Sequence, residues 1–121
     1  MNRTGDPEAG PVLSGETLVA MQAEVRELPV SRAIREYMAH ILVATREHEL
    51  LRLGASPRGG VHLQRASQAL AALRGAGFVA PEHIREMAPL VLGHRVIVAP
   101  GSAMSPEDAI EEVVRGVPVP L

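Results

Sequence analysis

The chain has 121 residues, of which 46% are hydrophobic, so it is long enough to form one compact domain around a single core. Its formal net charge of −2 excludes a general electrostatic attraction to nucleic acid or anionic lipid, so any recognition of anions must be local. The absence of cysteine excludes disulfides and thiolate zinc sites, and an aromatic content of 2% leaves no platform on which nucleic-acid bases could stack.

Residues 1–13 contain two glycines and two prolines with little apolar periodicity, which predicts an extended segment. Residues 14–121 carry the helical patterns and form the predicted domain. No apolar run in the sequence approaches the roughly 20 residues that cross a bilayer. We therefore expect a cytoplasmic protein with no membrane insertion.

Two helices are predicted in the first half of this domain, because apolar residues recur there at three- and four-residue spacing. Ser14 can cap the first helix, which Pro29 stops, and Ser31 can cap a second, longer helix. The second helix has the clearest core-facing stripe, which comprises Ile34, Tyr37, Met38, Ile41 and Leu42.

The third predicted helix follows Ser56-Pro57 and ends near Gly75, a residue type that commonly terminates helices. Ser56 suits the capping position, and Pro57 suits the first helical position. The predicted inner face of this helix comprises Leu63, Ala66, Leu70 and Leu73.

Two more helices complete the predicted domain. One begins at Pro81 and should be kinked or divided by Pro89, and the last runs from about Pro106 to Arg115. Phe78-Val79 and the β-branched run 95–98 can pair as a minimal ribbon. The whole pattern predicts an all-α bundle of four to five helices with a two-stranded ribbon.

The start of the third helix breaks a charge rule. Residues 80–82 and 105–108 put carboxylates at the positive end of a helix, whereas Arg58 puts a guanidinium there. A cation in that position is unfavourable by up to about 1 kcal/mol, which makes sense if an anion binds. Backbone N–H groups and a bidentate Arg58 would form a phosphate-binding corner. An ordinary surface arginine is the alternative, since Ser31-Arg32 shows the same feature without glycines.

Several sequence blocks follow one another with a joint spacing that is far more specific than the five-residue motif 54–58 alone. The blocks are Thr45–His48, Leu53–Arg58, Leu63–Ala66, Ala69–Gly75, Gly77–Ile84 and Met87–Arg95. In this order they resemble the C-terminal helical lid of MoxR-family AAA+ ATPases, most specifically from about residue 42 to 98.

The resemblance implies a role for Arg58 as the sensor 2 arginine, which approaches the β- and γ-phosphates of ATP bound with Mg²⁺. The other residues of the implied nucleotide corner are Gly54, Ser56, Pro57 and Gly59, with Arg46 as a second-rank contact and Arg74 and Arg95 of the same rank. Residues 1–13 would then lead in from an absent N-terminal AAA+ core of the same polypeptide. The whole protein would be a chaperone-like remodelling ATPase, a hexameric ring in which neighbouring subunits contact the lid and the client is unknown.

Some parts of an ATPase are missing from this chain. It has no lysine and therefore no phosphate-binding loop, and no strand ends in a pair of acidic residues that could hold Mg²⁺. We expect no catalytic residue here and no ATP hydrolysis by the chain alone. The five histidines lack the spacing of a metal site. Two departures from the family pattern are Ala80, which cannot cap its helix through a side chain, and Gly59, which should loosen the sensor helix.

A free-standing helical adaptor or helix-turn-helix regulator is the alternative. The acidic balance and the alanine- and leucine-rich third helix argue against it, because a recognition helix needs several polar groups directed at base edges. We therefore expect no DNA partner.

Overall fold

A computed structural model describes residues 23–120. Its elements are a helical stretch at residues 23–26, helices α1 (Arg32–Glu47), α2 (Pro57–Leu73), α3 (Pro81–Leu92) and α4 (Pro106–Arg115), a 3-10 turn (Gly93–Arg95), and strands β1 (Leu51–Leu53) and β2 (Ile97–Val98). The predicted extended segment 1–13 and the predicted cap at Ser14 lie outside the described residues. None of the described helices is long and apolar enough to cross a membrane. The prediction of a helical bundle with a minimal ribbon is confirmed.

The core lies between four helices. Helix α3 packs against α2 on one side and α4 on the other, and α1 contacts both α2 and α4. Each helix contributes an apolar stripe, and the residues that are completely buried include Ile41, Leu63, Ala71, Ile84, Ala88, Leu92 and Ile110. The predicted stripe of α1 is buried except for Leu42, which is half-buried.

Serine side chains cap two of the four helices. The Oγ of Ser31 accepts a hydrogen bond from the Ile34 N–H at 3.2 Å, and the Oγ of Ser105 accepts one from Asp108 at 3.1 Å. Ala80 has no side-chain acceptor, but its own N–H donates to Nδ1 of His83 at 2.9 Å. His83 thereby supplies half of a capping box, which compensates in part for the missing cap.

The ribbon differs from the prediction in one strand. β2 pairs antiparallel with β1, so that Leu53 lies opposite Ile97, and Phe78-Val79 is not part of it. The N–H of Val79 instead donates to the carbonyl of Pro29 at 3.0 Å. The predicted pairing was wrong because Phe78-Val79 leads directly into α3, which leaves it no length to form a ladder.

The inner face of α2 was predicted about one residue out of register. Its buried residues are Gly59, Leu63, Ser67, Gln68 and Ala71, whereas the predicted Leu73 is 85% exposed. Small residues face α3 because the two helices pack closely, and apolarity alone does not reveal that preference. Helix α3 was expected to be kinked or divided at Pro89. It is not divided there and runs as one helix from Pro81 to Leu92.

An ion pair joins the end of α2 to α3. Two nitrogens of the Arg74 guanidinium donate to the two carboxylate oxygens of Glu86 at 2.6 and 2.7 Å. The hydrogen bond from Arg74 lowers the pKa of Glu86, and the same bond raises the pKa of Arg74. The guanidinium of Arg74, which was expected only as a second-rank contact, is therefore bound to a carboxylate of the same chain.

Candidate functional site

Arg58 lies at the exposed N-terminal end of α2, directly after Pro57. Ser56 occupies the capping position, but its side chain makes no capping hydrogen bond, contrary to the expectation. The first turn contains no acidic residue, and Arg58 is in no ion pair within residues 23–120. The helix start thus combines the positive end of the dipole with an unpaired guanidinium, an arrangement suited to an anion.

Gly54 allows the segment before α2 to cross closely over the end of α1. A Cβ atom at Gly54 would lie 2.6 Å from the Cα and N atoms of Arg46 and 2.6 Å from the carbonyl oxygen of Thr45. All three are backbone atoms, which cannot rotate away as a side chain can. The crossing also places the backbone of Arg46 beside the segment that leads into α2.

Thr45 holds this crossing in place, a role that was not predicted from the sequence. Its hydroxyl donates to the carbonyl of Leu42 at 2.7 Å and accepts from the N–H of Ala55 at 3.0 Å. Both Thr45 and Ala55 are buried, so these bonds are shielded from water. A signal was present: Thr45 follows Ile41 by four residues, which puts a hydroxyl in an otherwise apolar stripe.

The glycines that follow Arg58 serve packing. A Cβ at Gly59 would lie 3.0 Å from a methyl of Leu92, and one at Gly60 would lie 2.6 Å from a methyl of Leu42. The first turn of α2 therefore sits against both α1 and α3. Gly59 gives this turn its close contact with α3, a constraint that opposes the loosening expected from glycine propensity.

Arg95 reaches the same turn from the 3-10 segment. Its Cδ would lie 3.7 Å from a Cβ at Gly59, and its Nε is buried without a hydrogen-bond partner among the described residues. Of the three second-rank arginines, Arg46 and Arg95 thus lie close to the start of α2, whereas Arg74 is paired with Glu86. Their positions in the sequence did not show which of these arginines lie close to the start of α2.

The start of α2 carries positive charge and no acidic side chain. Helix α2 carries no carboxylate along its 17 residues, although the chain as a whole is acidic. Within residues 23–120, no group of three or more histidines and carboxylates could hold a metal ion. The start of α2 presents backbone donors and positive charge around Arg58.

Comparison with known proteins identifies the relatives of this fold. The sequence profile of the AAA lid domain family matches residues 43–115. The uncharacterised protein YeaC of Bacillus subtilis is 34% identical over 92% of this chain, and chaperone MoxR1 of Mycobacterium tuberculosis is 32% identical over 94%. The chain covers 36% and 33% of the lengths of these two proteins.

A solved structure agrees with the sequence relatives. A crystal structure of a protein from Cytophaga hutchinsonii, provisionally named an ATPase, superposes with a TM-score of 0.80 and 25% identity. The superposition covers 88% of this chain and 36% of that protein. The family profile matches more than half of the chain, and it covers the last five residues of α1 and all of α2, α3 and α4. The chain therefore belongs to the AAA lid domain family and is related to MoxR chaperones.

Proposed function

We propose that this chain is the lid of a MoxR-type AAA+ ATPase and that Arg58 is the sensor 2 arginine that reads bound ATP. The observation that carries the proposal is the unpaired, exposed Arg58 in a helix turn free of carboxylates. Gly54 and Thr45 support it, since they attach the segment before Arg58 firmly to α1. This attachment fixes the backbone at the start of α2, so that Arg58 has less freedom to lose when it binds phosphate.

The remaining parts of the site belong to an AAA+ core joined to this lid. That core would provide the phosphate-binding loop and the carboxylates for Mg²⁺, since this chain has no lysine. ATP with Mg²⁺ supplies the phosphoryl group that is transferred to water. Arg58 donates hydrogen bonds to the β- and γ-phosphate oxygens, with Arg46 as a second-rank contact. Once the γ-phosphate leaves, Arg58 loses part of its contact, and the lid is free to change its angle to the core.

The wider setting is part of the same proposal. The complete ATPase would remodel client proteins as a hexameric ring in the cytoplasm, and faces of the lid would touch the neighbouring subunit. The family match favours this setting over the alternative of a free-standing helix-turn-helix regulator.

Nucleotide affinities in the complete ATPase test the sensor assignment. Arg58→Ala should weaken binding of a non-hydrolysable ATP analogue about tenfold, because a charged hydrogen bond to the γ-phosphate is lost. Binding of ADP should weaken less, because only the contact of Arg58 with the β-phosphate is lost. Arg52→Ala, which removes an exposed arginine from β1, is the matched control and should alter neither affinity. Equal losses for the two nucleotides would contradict reading of the γ-phosphate.

A further inference from the structure

A second basic site lies two helical turns along α2 from Arg58. It is a cleft of about 250 Å³ between α2 and the helical stretch that ends at residue 26. We call it the arginine cleft, and its lining residues are Arg26, Val61, Gln64, Arg65 and Gln68. It is separate from the sensor corner, since seven residues of helix place Arg65 about 10 Å from Arg58 along the axis.

The arginines of the arginine cleft have no ion-pair partner among the described residues. Arg26 and Arg65 line it together, and neither forms an ion pair within residues 23–120. None of the cleft's lining residues within 23–120 is a carboxylate, and α2 contains none. Two neighbouring guanidinium groups repel each other, and this repulsion is relieved when a carboxylate binds both.

Gln68 gives the cleft a fixed orientation. Its side chain is 3% exposed, and its Nε2 donates to the carbonyl oxygens of Arg26 and Leu28 at 2.9 and 3.0 Å. Only the amide nitrogen can donate, so these bonds determine which way the side-chain amide faces. They use both hydrogens of the nitrogen, and no donor among residues 23–120 bonds to the amide oxygen. The same bonds hold the segment carrying Arg26 against the helix carrying Arg65.

We propose that the arginine cleft binds an extended, acidic segment of a partner protein. A carboxylate of that segment lies between Arg26 and Arg65, and a neighbouring backbone N–H donates to the amide oxygen of Gln68. An extended segment has such N–H groups free, whereas those inside a helix are already bonded. A phosphate group is less suitable, because its oxygens are mainly acceptors and the amide oxygen of Gln68 is itself an acceptor. Val61, which is 52% exposed at the rim, provides an apolar contact for the segment.

Titration of the 121-residue chain with a capped hexaglutamate peptide, followed by NMR at low ionic strength, tests this proposal. The amide signals of Arg26, Arg65 and Gln68 should shift together and saturate, including the side-chain amide of Gln68. Arg65→Gln should weaken binding about tenfold, because one charged contact is lost. Arg35→Gln removes an exposed arginine of α1 that forms no ion pair within residues 23–120. It makes the same charge change elsewhere and should have little effect. The same peptide with glutamine in place of glutamate should not bind.

Several outcomes would overturn the proposal. One is that the NMR shifts centre on Ser56 and Arg58 and not on the cleft. Another is that Arg65→Gln and Arg35→Gln weaken peptide binding equally. A third is self-association of the chain that the peptide disrupts, since the exposed acidic face of α4 in a second copy would then be the occupant. This proposal does not depend on the sensor assignment. The result of the nucleotide measurements on Arg58→Ala does not bear on the arginine cleft. Failure of the peptide titration likewise does not bear on the sensor assignment of Arg58.

Discussion

Replacing Arg58 by alanine in the complete ATPase is expected to lower the rate of ATP hydrolysis at least about tenfold. Charge develops on the transferred phosphoryl group, and a positioned donor to that charge commonly contributes this much or more. The measurement is steady-state phosphate release at saturating ATP, so that weaker nucleotide binding does not account for the loss. Arg58 is exposed and makes no ion pair in the described structure, so its removal should leave the fold intact.

The matched variant for this measurement is Arg52→Ala. Arg52 lies six residues earlier in β1, is also exposed, and carries the same charge. Turnover close to the unmodified rate is expected for it, because nothing places it at the start of α2. If Arg58→Ala hydrolysed ATP at an undiminished rate, the sensor assignment would be wrong.

Gly54→Ala is expected to destabilise the 121-residue chain by about 3 kcal/mol, the upper part of the range for overpacking substitutions. The added methyl would lie 2.6 Å from three backbone atoms of Thr45 and Arg46. The φ angle of Gly54 is not positive, so the obstacle is space alone and not backbone conformation. Relief would require the loop to move away from α1, which would break the hydrogen bond between Thr45 and Ala55. Urea denaturation followed by circular dichroism measures the change.

Gly77→Ala provides the control for this substitution. A Cβ at Gly77 would meet nothing within 4 Å, and its φ is not positive either. Alanine there should leave stability unchanged or raise it by up to about 1 kcal/mol, because the unfolded chain loses freedom. Equal stability of the two variants would show that the crossing of Gly54 over α1 is looser than described.

Much of the fold could be predicted from residues that act locally. The serines at 31 and 105 determined where α1 and α4 begin, since their hydroxyls cap the helices within three residues. The ribbon partner and the inner face of α2 could not be predicted in this way. Both depend on what lies opposite in the folded chain: β1 opposite β2, and α3 opposite the small residues of α2.

The same distinction applies to the site. Arg58 was predicted because a charge at the wrong end of a helix is visible in the sequence, and the structure leaves this charge exposed and unpaired. The role of Gly54 in the crossing over α1 was not predicted, because its neighbour in space, Arg46, is eight residues away in the sequence. Thr45 has its partner ten residues along the chain at Ala55, and its hydroxyl acts only once the crossing has formed.

The most direct test of the central claim is the distance between lid and core in the complete ATPase. This chain has no cysteine, so a single label can be attached through Glu111→Cys on the exposed face of α4, with a second label on the core. Fluorescence transfer should report different distances with a non-hydrolysable ATP analogue and with ADP. That difference should disappear in Arg58→Ala and persist in Arg52→Ala. A difference that persists in Arg58→Ala would contradict the claim that Arg58 couples the nucleotide to the lid.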